Sequence, residues 1–73
     1  MNKERRKKIN SALCMLSSAK DILEEVSSAE SEAYDNLPEG LQNSGRGEDM
    51  EEWIERLDTV CYGIDEIIND LRL

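Results

Sequence analysis

The feature that most constrains this chain is an unbroken helical repeat of apolar residues in its C-terminal third. These residues recur at alternating steps of four and three, which is the spacing of one face of an α-helix. They are Met50, Ile54, Leu57, Cys61, Ile64, Ile68 and Leu71. A second row recurs every seven residues beside them and consists of Trp53, Val60 and Ile67. The combined surface is wider than that of a two-stranded coiled coil, so this helix is predicted to contact more than one neighbour.

The first half of the chain carries the same repeat. Its apolar positions are Ile9, Ala12, Leu16, Ala19, Leu23, Val26 and Ala33, with a flanking row of Met15, Ile22 and Ala29. Asn2 suits the cap position before this helix, and Pro38 excludes a helical conformation at the residue before it. The alternation of large residues with alanines predicts a close approach of the second helix at the alanines.

These repeats predict an all-α fold, an antiparallel two-helix hairpin that self-associates. The whole chain, residues 1–73, is expected to form a single domain with a helix over 3–35, a turn over 36–46 and a helix over 47–72. Because 73 residues can bury only a small core, we expect a homo-oligomer, with a dimeric four-helix bundle as its simplest form. The residues expected in the contact between copies are Met15, Ile22, Trp53, Val60 and Ile67.

Charge is distributed unevenly along the chain. The net charge is -8, but five basic residues against Glu4 give +4 over the first eight positions and leave -12 for the remainder. Two interpretations of the basic residues Arg5, Arg6, Lys7 and Lys8 remain open. They can pair with Asp65, Glu66 and Asp70 at the end of the second helix, or they can contact a phosphate group or a nucleic acid.

Acidic residues crowd the first half of the second helix. They are Glu48, Glu51, Glu52, Glu55 and Asp58, and we call this set the acidic stripe. One interpretation is a solvated helix surface. The other is a binding surface for a basic partner protein, since a dense row of carboxylates attracts cations and resembles a phosphate backbone.

A polar group flanks the predicted turn and consists of Tyr34, Asp35, Asn36 and Arg46. Capping and closing the turn is the structural interpretation, and partner contact is the functional one. Trp53, as the sole tryptophan, is interpreted as a core or oligomer contact rather than as a contact for a foreign partner.

The sequence offers no catalytic constellation. The chain contains no histidine, so it lacks an imidazole base and a histidine metal ligand. Cys14 and Cys61 are expected on different levels of the hairpin and therefore reduced. We predict that the protein is not an enzyme and has no cofactor and no metal site.

Residues 33–44 (AYDNLPEGLQNS), together with the basic opening RRKKI at residues 5–9, resemble segments of short acidic proteins encoded in phages, prophages and mobile elements of Gram-positive bacteria. The resemblance extends over nearly the whole length. It implies an accessory role in the host cytoplasm, with no catalytic residue to transfer. Small acidic phage proteins of this kind are often inhibitors of host or defence proteins.

The sequence therefore favours a non-enzymatic protein-interaction module, in the form of a phage-encoded inhibitor that binds a host protein through its acidic helical surface. A ligand-sequestering or nucleic-acid-contacting oligomer that uses the basic N-terminus is the first alternative. A structural assembly subunit is the second. Since neither a signal peptide nor a transmembrane segment is recognisable, we expect a cytoplasmic protein without a membrane partner.

Overall fold

The computed structural model describes residues 1–72. Helix α1 spans Lys3–Asp35, the short helix α2 spans Glu39–Gln42, and helix α3 spans Gly45–Leu71. Residues 1–72 contain no strand, so the prediction of an all-α fold is confirmed. α1 covers the range expected from the sequence. α3 begins two residues before the expected position 47, and α2 occupies part of the expected turn.

The ends of α1 follow from local chemistry. The Asn2 side chain accepts a hydrogen bond of 2.8 Å from the backbone N–H of Arg5, one of the donors that the first turn of a helix leaves unpaired. At the other end, the N–H of Leu37 donates to the carbonyl oxygen of Tyr34 at 3.1 Å. Pro38 then prevents Leu37 from continuing the helix.

α3 packs on α1 through the surface that its apolar repeat predicts. Cys61 is buried, and the other residues of this row are partly buried, namely Met50, Ile54, Leu57, Ile64 and Ile68. Leu71, the last member of the repeat, keeps 40% of its surface exposed. The packed part of the repeat, from Met50 to Ile68, therefore covers about five turns of α3.

The contact surface of α1 differs from the expected one. Ile9, Leu16 and Leu23 of the expected repeat are partly buried, but Ala12, Ala19, Val26 and Ala33 are exposed. Leu13, Lys20, Ser27 and Tyr34 are at least partly buried in their place. The prediction of a close approach at alanines was therefore wrong. An alanine removes little apolar area from water, whereas this rotation covers Leu13 and allows polar side chains of α1 to reach α3.

The connection between the helices packs closely on the start of α3. Gly47 is buried, and a Cβ atom at this position would lie 2.1 Å from the carbonyl oxygen of Gln42. The Gln42 side chain donates hydrogen bonds to the carbonyl oxygens of Tyr34 and Leu37, at 3.2 and 3.4 Å. Gln42 therefore joins the end of α1 to α2, and Gly47 provides the space that this arrangement needs.

The pairs formed across the two long helices define their direction and register. Lys20 pairs with Asp65, Ser27 with Asp58, and Tyr34 with Glu51. Each step of seven residues along α1 is matched by a step of seven backwards along α3, so the helices run antiparallel.

The register leaves the two ends of the helix pair unequal. It brings Leu71 level with position 14 of α1, so residues 3–13 extend beyond the end of α3 over about 16 Å. The described part of the chain is elongated, with a longest extent of 58 Å between Cα positions.

Candidate functional site

One edge of the helix pair carries three polar contacts, and we call it the polar edge. The Lys20 ammonium lies 2.7 Å from a carboxylate oxygen of Asp65. The buried Ser27 hydroxyl donates a hydrogen bond of 2.9 Å to Asp58, and the Tyr34 hydroxyl donates to Glu51. The members on α1 are Lys20, Ser27 and Tyr34, and those on α3 are Glu51, Asp58 and Asp65. These contacts fix the register, because sliding either helix by one turn breaks all three.

The polar edge shifts the pKa of two of its members. The hydrogen bond from Lys20 to Asp65 raises the pKa of the Lys20 ammonium above its usual value, opposed by partial desolvation. The hydrogen bond to Glu51 raises the pKa of the Tyr34 phenol, because the neutral hydroxyl is the donor. Both groups therefore keep their protons throughout the neutral range.

The opposite edge carries the residues expected at an interface between copies. Met15 and Ile22 of α1 expose 72% and 60% of their surface, and Trp53, Val60 and Ile67 of α3 expose 55%, 48% and 48%. Val26 of α1 lies beside them and is 47% exposed. We call these six residues the apolar face.

Helical geometry places the two halves of the apolar face on the same side of the molecule. Successive residues of an α-helix are rotated by about 100°, so the row of Trp53, Val60 and Ile67 lies about 160° around α3 from the α3 members of the polar edge. On α1, the members of the apolar face lie about 120° from those of the polar edge. Each row thus borders the helix contact on the side away from the polar edge, and together they form one surface.

Trp53 has a polar border on this surface. The Arg56 guanidinium lies 5.4 Å from the centre of the Trp53 ring, a cation–π distance. Arg56 also pairs with Glu52 at 2.8 Å. An apolar centre with a charged border is the arrangement found at protein interfaces.

The structure divides the acidic stripe. Glu51 and Asp58 are engaged by α1 through Tyr34 and Ser27, and Glu52 is paired with Arg56. Glu48 and Glu55 are exposed, and the ion pairs of residues 1–72 do not include them. The available carboxylates of the stripe are therefore those of Glu48 and Glu55.

Of the two interpretations of the basic N-terminus, pairing with the end of α3 does not form within residues 1–72. Arg5, Arg6, Lys7 and Lys8 are exposed, and none of them forms an ion pair within residues 1–72. The cause is the register, which brings Asp65 level with Lys20 and leaves the basic residues beyond the end of α3. Lys20, which also contacts Glu24 at 3.4 Å, is the cation that pairs with α3 instead.

The predicted turn group does not form one cluster. Tyr34 reaches across to Glu51, whereas Asp35, Asn36 and Arg46 are exposed. The Asn36 backbone N–H caps the end of α1 by donating to the carbonyl oxygen of Glu32 at 3.1 Å. Closure of the connection depends on Gln42 and Gly47, which the sequence analysis did not select.

The two cysteines are free and lie at different levels. Cys14 is exposed and Cys61 is buried. Burial raises the pKa of the Cys61 thiol, and the nearby carboxylates of Glu24 and Asp58 raise it further. Residues 1–72 contain no cluster of three or more side chains suited to a metal ion. Within the same range, no helix has the length and apolar character needed to cross a membrane.

The sequence contained a signal for the polar edge that the search for apolar repeats missed. Lys20, Ser27 and Tyr34 are spaced by seven, and so are Glu51, Asp58 and Asp65. Two polar rows of equal spacing, one with donors and one with acceptors, can meet level by level along a pair of packed helices.

Comparisons of the chain with protein-family models, with curated proteins and with solved structures found no match.

Proposed function

We propose that this chain is a non-enzymatic protein-interaction module that works as a pair of hairpins. One observation carries the proposal. Six large apolar side chains stand about half or more exposed on a single face, while the opposite edge of the same helix pair is closed by polar contacts. Soluble chains rarely leave such a face to water, because covering it is favourable by about 25 cal/mol per Å².

A second copy is the occupant that the face fits best. By the register of the polar edge, the face runs from the level of Met15 to that of Trp53, about 18 residues or about 26 Å, and two helices are about 20 Å wide. Its projected area of about 520 Å² is about two thirds of the ~800 Å² that each partner buries in a stable protein interface. Two faces packed together give a four-helix bundle, in which the apolar rows of both hairpins form a shared core.

The acidic surface remains for a different partner. Glu48 and Glu55 lie about 100° or more from the apolar face around α3 and stay exposed when two such faces pack together. Each chain has a net charge of -8, so the dimer, with twice that charge, attracts a basic protein surface over long range. The resemblance to small acidic phage proteins suggests an inhibitor that occupies such a surface on a host or defence protein.

The basic N-terminus supports a second candidate function. Its exposed side chains, free of ion pairs within residues 1–72, suit a phosphate contact and hence a ligand-sequestering or nucleic-acid-contacting oligomer. If the basic N-terminus binds phosphate, an Arg5→Glu/Lys8→Glu variant loses RNA or polyphosphate binding at unchanged oligomeric state.

Sedimentation equilibrium of the wild type and of Val60→Glu tests the dimer. We expect a dimer at micromolar concentration for the wild type and a monomer for the variant, because Val60→Glu places a charge inside the shared core. Tyr62→Glu is the matched control, since Tyr62 is 77% exposed and lies about 160° around α3 from the apolar rows. A wild-type monomer, or equal dissociation of both variants, contradicts the proposal.

Capture from a host lysate tests the acidic surface. The wild type is expected to retain a partner that Glu48→Lys/Glu55→Lys loses, because the variant reverses the two available carboxylates. Asp21→Lys/Glu25→Lys makes the same change in net charge on exposed positions of α1 and serves as the control. Equal capture by all three proteins refutes recognition through the acidic stripe.

A further inference from the structure

We propose that the two hairpins of the dimer lie with their turns at opposite ends, so that the basic N-terminus of each copy packs against the acidic turn of the other. This inference rests on the proposed dimer and adds the orientation of the second copy. Two face-to-face arrangements are compatible with twofold symmetry, one with both turns at the same end and one with the turns at opposite ends.

The centre of the apolar face locates the twofold axis. By the register of the polar edge, Trp53, Val60 and Ile67 are level with positions 32, 25 and 18 of α1. The mean level of these three residues and of Met15, Ile22 and Val26 is close to position 22 of α1. A twofold axis at this level buries the greatest part of both faces and makes Ile22 of one copy meet Ile22 of the other.

Gly63 lies at the same level on α3. A glycine inside a helix costs about 1 kcal/mol relative to alanine, and a Cβ atom at position 63 would meet nothing within 4 Å in a single copy. Nothing within residues 1–72 therefore requires a glycine here. In the opposite-end arrangement the two α3 helices cross at this position, where the missing side chain allows their backbones to approach.

Charge decides between the two arrangements. With the axis at Ile22, residues 3–8 of one copy are level with residues 36–41 and 44–49 of the other. The turn end carries Asp35, Glu39, Glu48 and Asp49 against Arg46, which is a net charge of -3. The opposite-end arrangement therefore places a segment of charge +4 beside this turn at each end of the bundle.

The same-end arrangement gives the opposite result. It brings the two basic segments together at one end and the two acidic turns together at the other, so both ends are repulsive. The part of α1 beyond the end of α3 then has only the like-charged segment of the other copy near it. In the opposite-end arrangement the turn of the partner fills this space.

Distance measurement between spin labels tests the orientation. The protein is the full chain with Cys14→Ser, Cys61→Ala and Asn36→Cys, labelled at position 36 and checked by sedimentation to be dimeric. Position 36 lies 14 residues from the axis, so opposite ends predict about 42 Å between the labels. A distance below about 20 Å overturns the orientation while the dimer stands. A monomer at the same concentration overturns the proposed function itself.

Exchanging the charges tests the contact between the basic N-terminus of one copy and the acidic turn of the other without spin labels. Arg5→Glu/Lys8→Glu is expected to raise the dimer dissociation constant about 10-fold, since each substitution acts at both ends of the bundle. Adding Glu39→Lys/Glu48→Lys restores the wild-type value, whereas adding Asp21→Lys/Glu25→Lys, with the same net charge, does not. Equal restoration by both additions, or an unchanged dissociation constant in the first variant, overturns the proposal. If that variant dimerises normally but loses RNA binding, the basic segment serves nucleic acid instead.

Discussion

Replacing Gly47 by alanine tests the close packing between the connection and the start of α3. The added Cβ atom would lie 2.1 Å from the carbonyl oxygen of Gln42, 2.6 Å from its carbonyl carbon and 2.8 Å from its Cα. Ordinary van der Waals contact begins at about 3.4 Å, so the two segments must separate by about 1.3 Å. All three obstructing atoms belong to the backbone, which cannot rotate out of the way as a flexible side chain does.

The expected cost follows from two opposing effects. Inserting a methyl group into a closely packed site typically costs about 1–3 kcal/mol. Alanine recovers less than about 1 kcal/mol of this through its higher helix propensity, since position 47 lies in the first turn of α3. The net destabilisation is about 2 kcal/mol, equivalent to a decrease in Tm of about 8–16 °C for a chain of this size.

Thermal unfolding followed by circular dichroism measures this difference. All proteins are compared at one protomer concentration, because dimerisation makes Tm depend on concentration. Gly45→Ala is the matched control, since Gly45 lies two residues away in the same helix and its Cβ position meets nothing within 4 Å. A Gly47→Ala variant as stable as Gly45→Ala would refute the close approach.

Three further predictions concern the polar edge and the cysteines. Thermal unfolding is expected to show constant stability from pH 7 to about 8 and a fall above about pH 9. The pKa values of Cys61, Tyr34 and Lys20 are all raised by folding, so their contribution is complete below the ordinary values of 9.0, 10.0 and 10.5 and is lost as the groups deprotonate. A steady rise in stability from pH 9 to 11 would contradict this sign. Ser27→Ala is expected to lower the free energy of unfolding by about 1 kcal/mol more than the same change at an exposed serine of α1, because it removes the hydrogen bond to Asp58. Equal urea midpoints for the two variants would contradict a stabilising role of this hydrogen bond. Iodoacetamide is expected to modify Cys14 readily and Cys61 only after unfolding, because burial raises the pKa of the Cys61 thiol and shields it. Equal modification rates of the two cysteines, measured by mass spectrometry, would contradict the burial of Cys61.

The candidate surfaces could be predicted from the sequence only in part. The apolar row of Trp53, Val60 and Ile67 is visible as a seven-residue repeat, and the structure places it on the exposed border of the helix contact. The sequence could not predict which carboxylates of the acidic stripe would be bound by side chains of α1. Glu51 and Asp58 belong to the same acidic stripe as Glu48 and Glu55, yet two of these four residues are engaged by α1.

The basic segment illustrates the same limit. Its charge made pairing with the end of α3 a reasonable expectation, but that pairing required a register in which the two helices begin and end together. A shift between antiparallel helices leaves every local backbone hydrogen bond intact, so no local property of the sequence opposes it. The structure pairs Lys20 with Asp65 instead.

By itself, the sequence determined where the helices lie, where α1 begins and ends, and which surface of α3 is buried. These properties depend on contacts between residues within four positions of one another, such as the bond from Arg5 to the Asn2 cap, and on the helical spacing of large apolar side chains. Only the tertiary structure decided the rotation of α1 about its axis and its register against α3. Both depend on contacts between residues far apart in the sequence, such as Ser27 and Asp58, which are 31 residues apart. Because α1 carries alanines and serines around its surface, several rotations of this helix would cover similar apolar areas. The polar pairs select one of these rotations, because each pair forms only when donor and acceptor arrive at the same level.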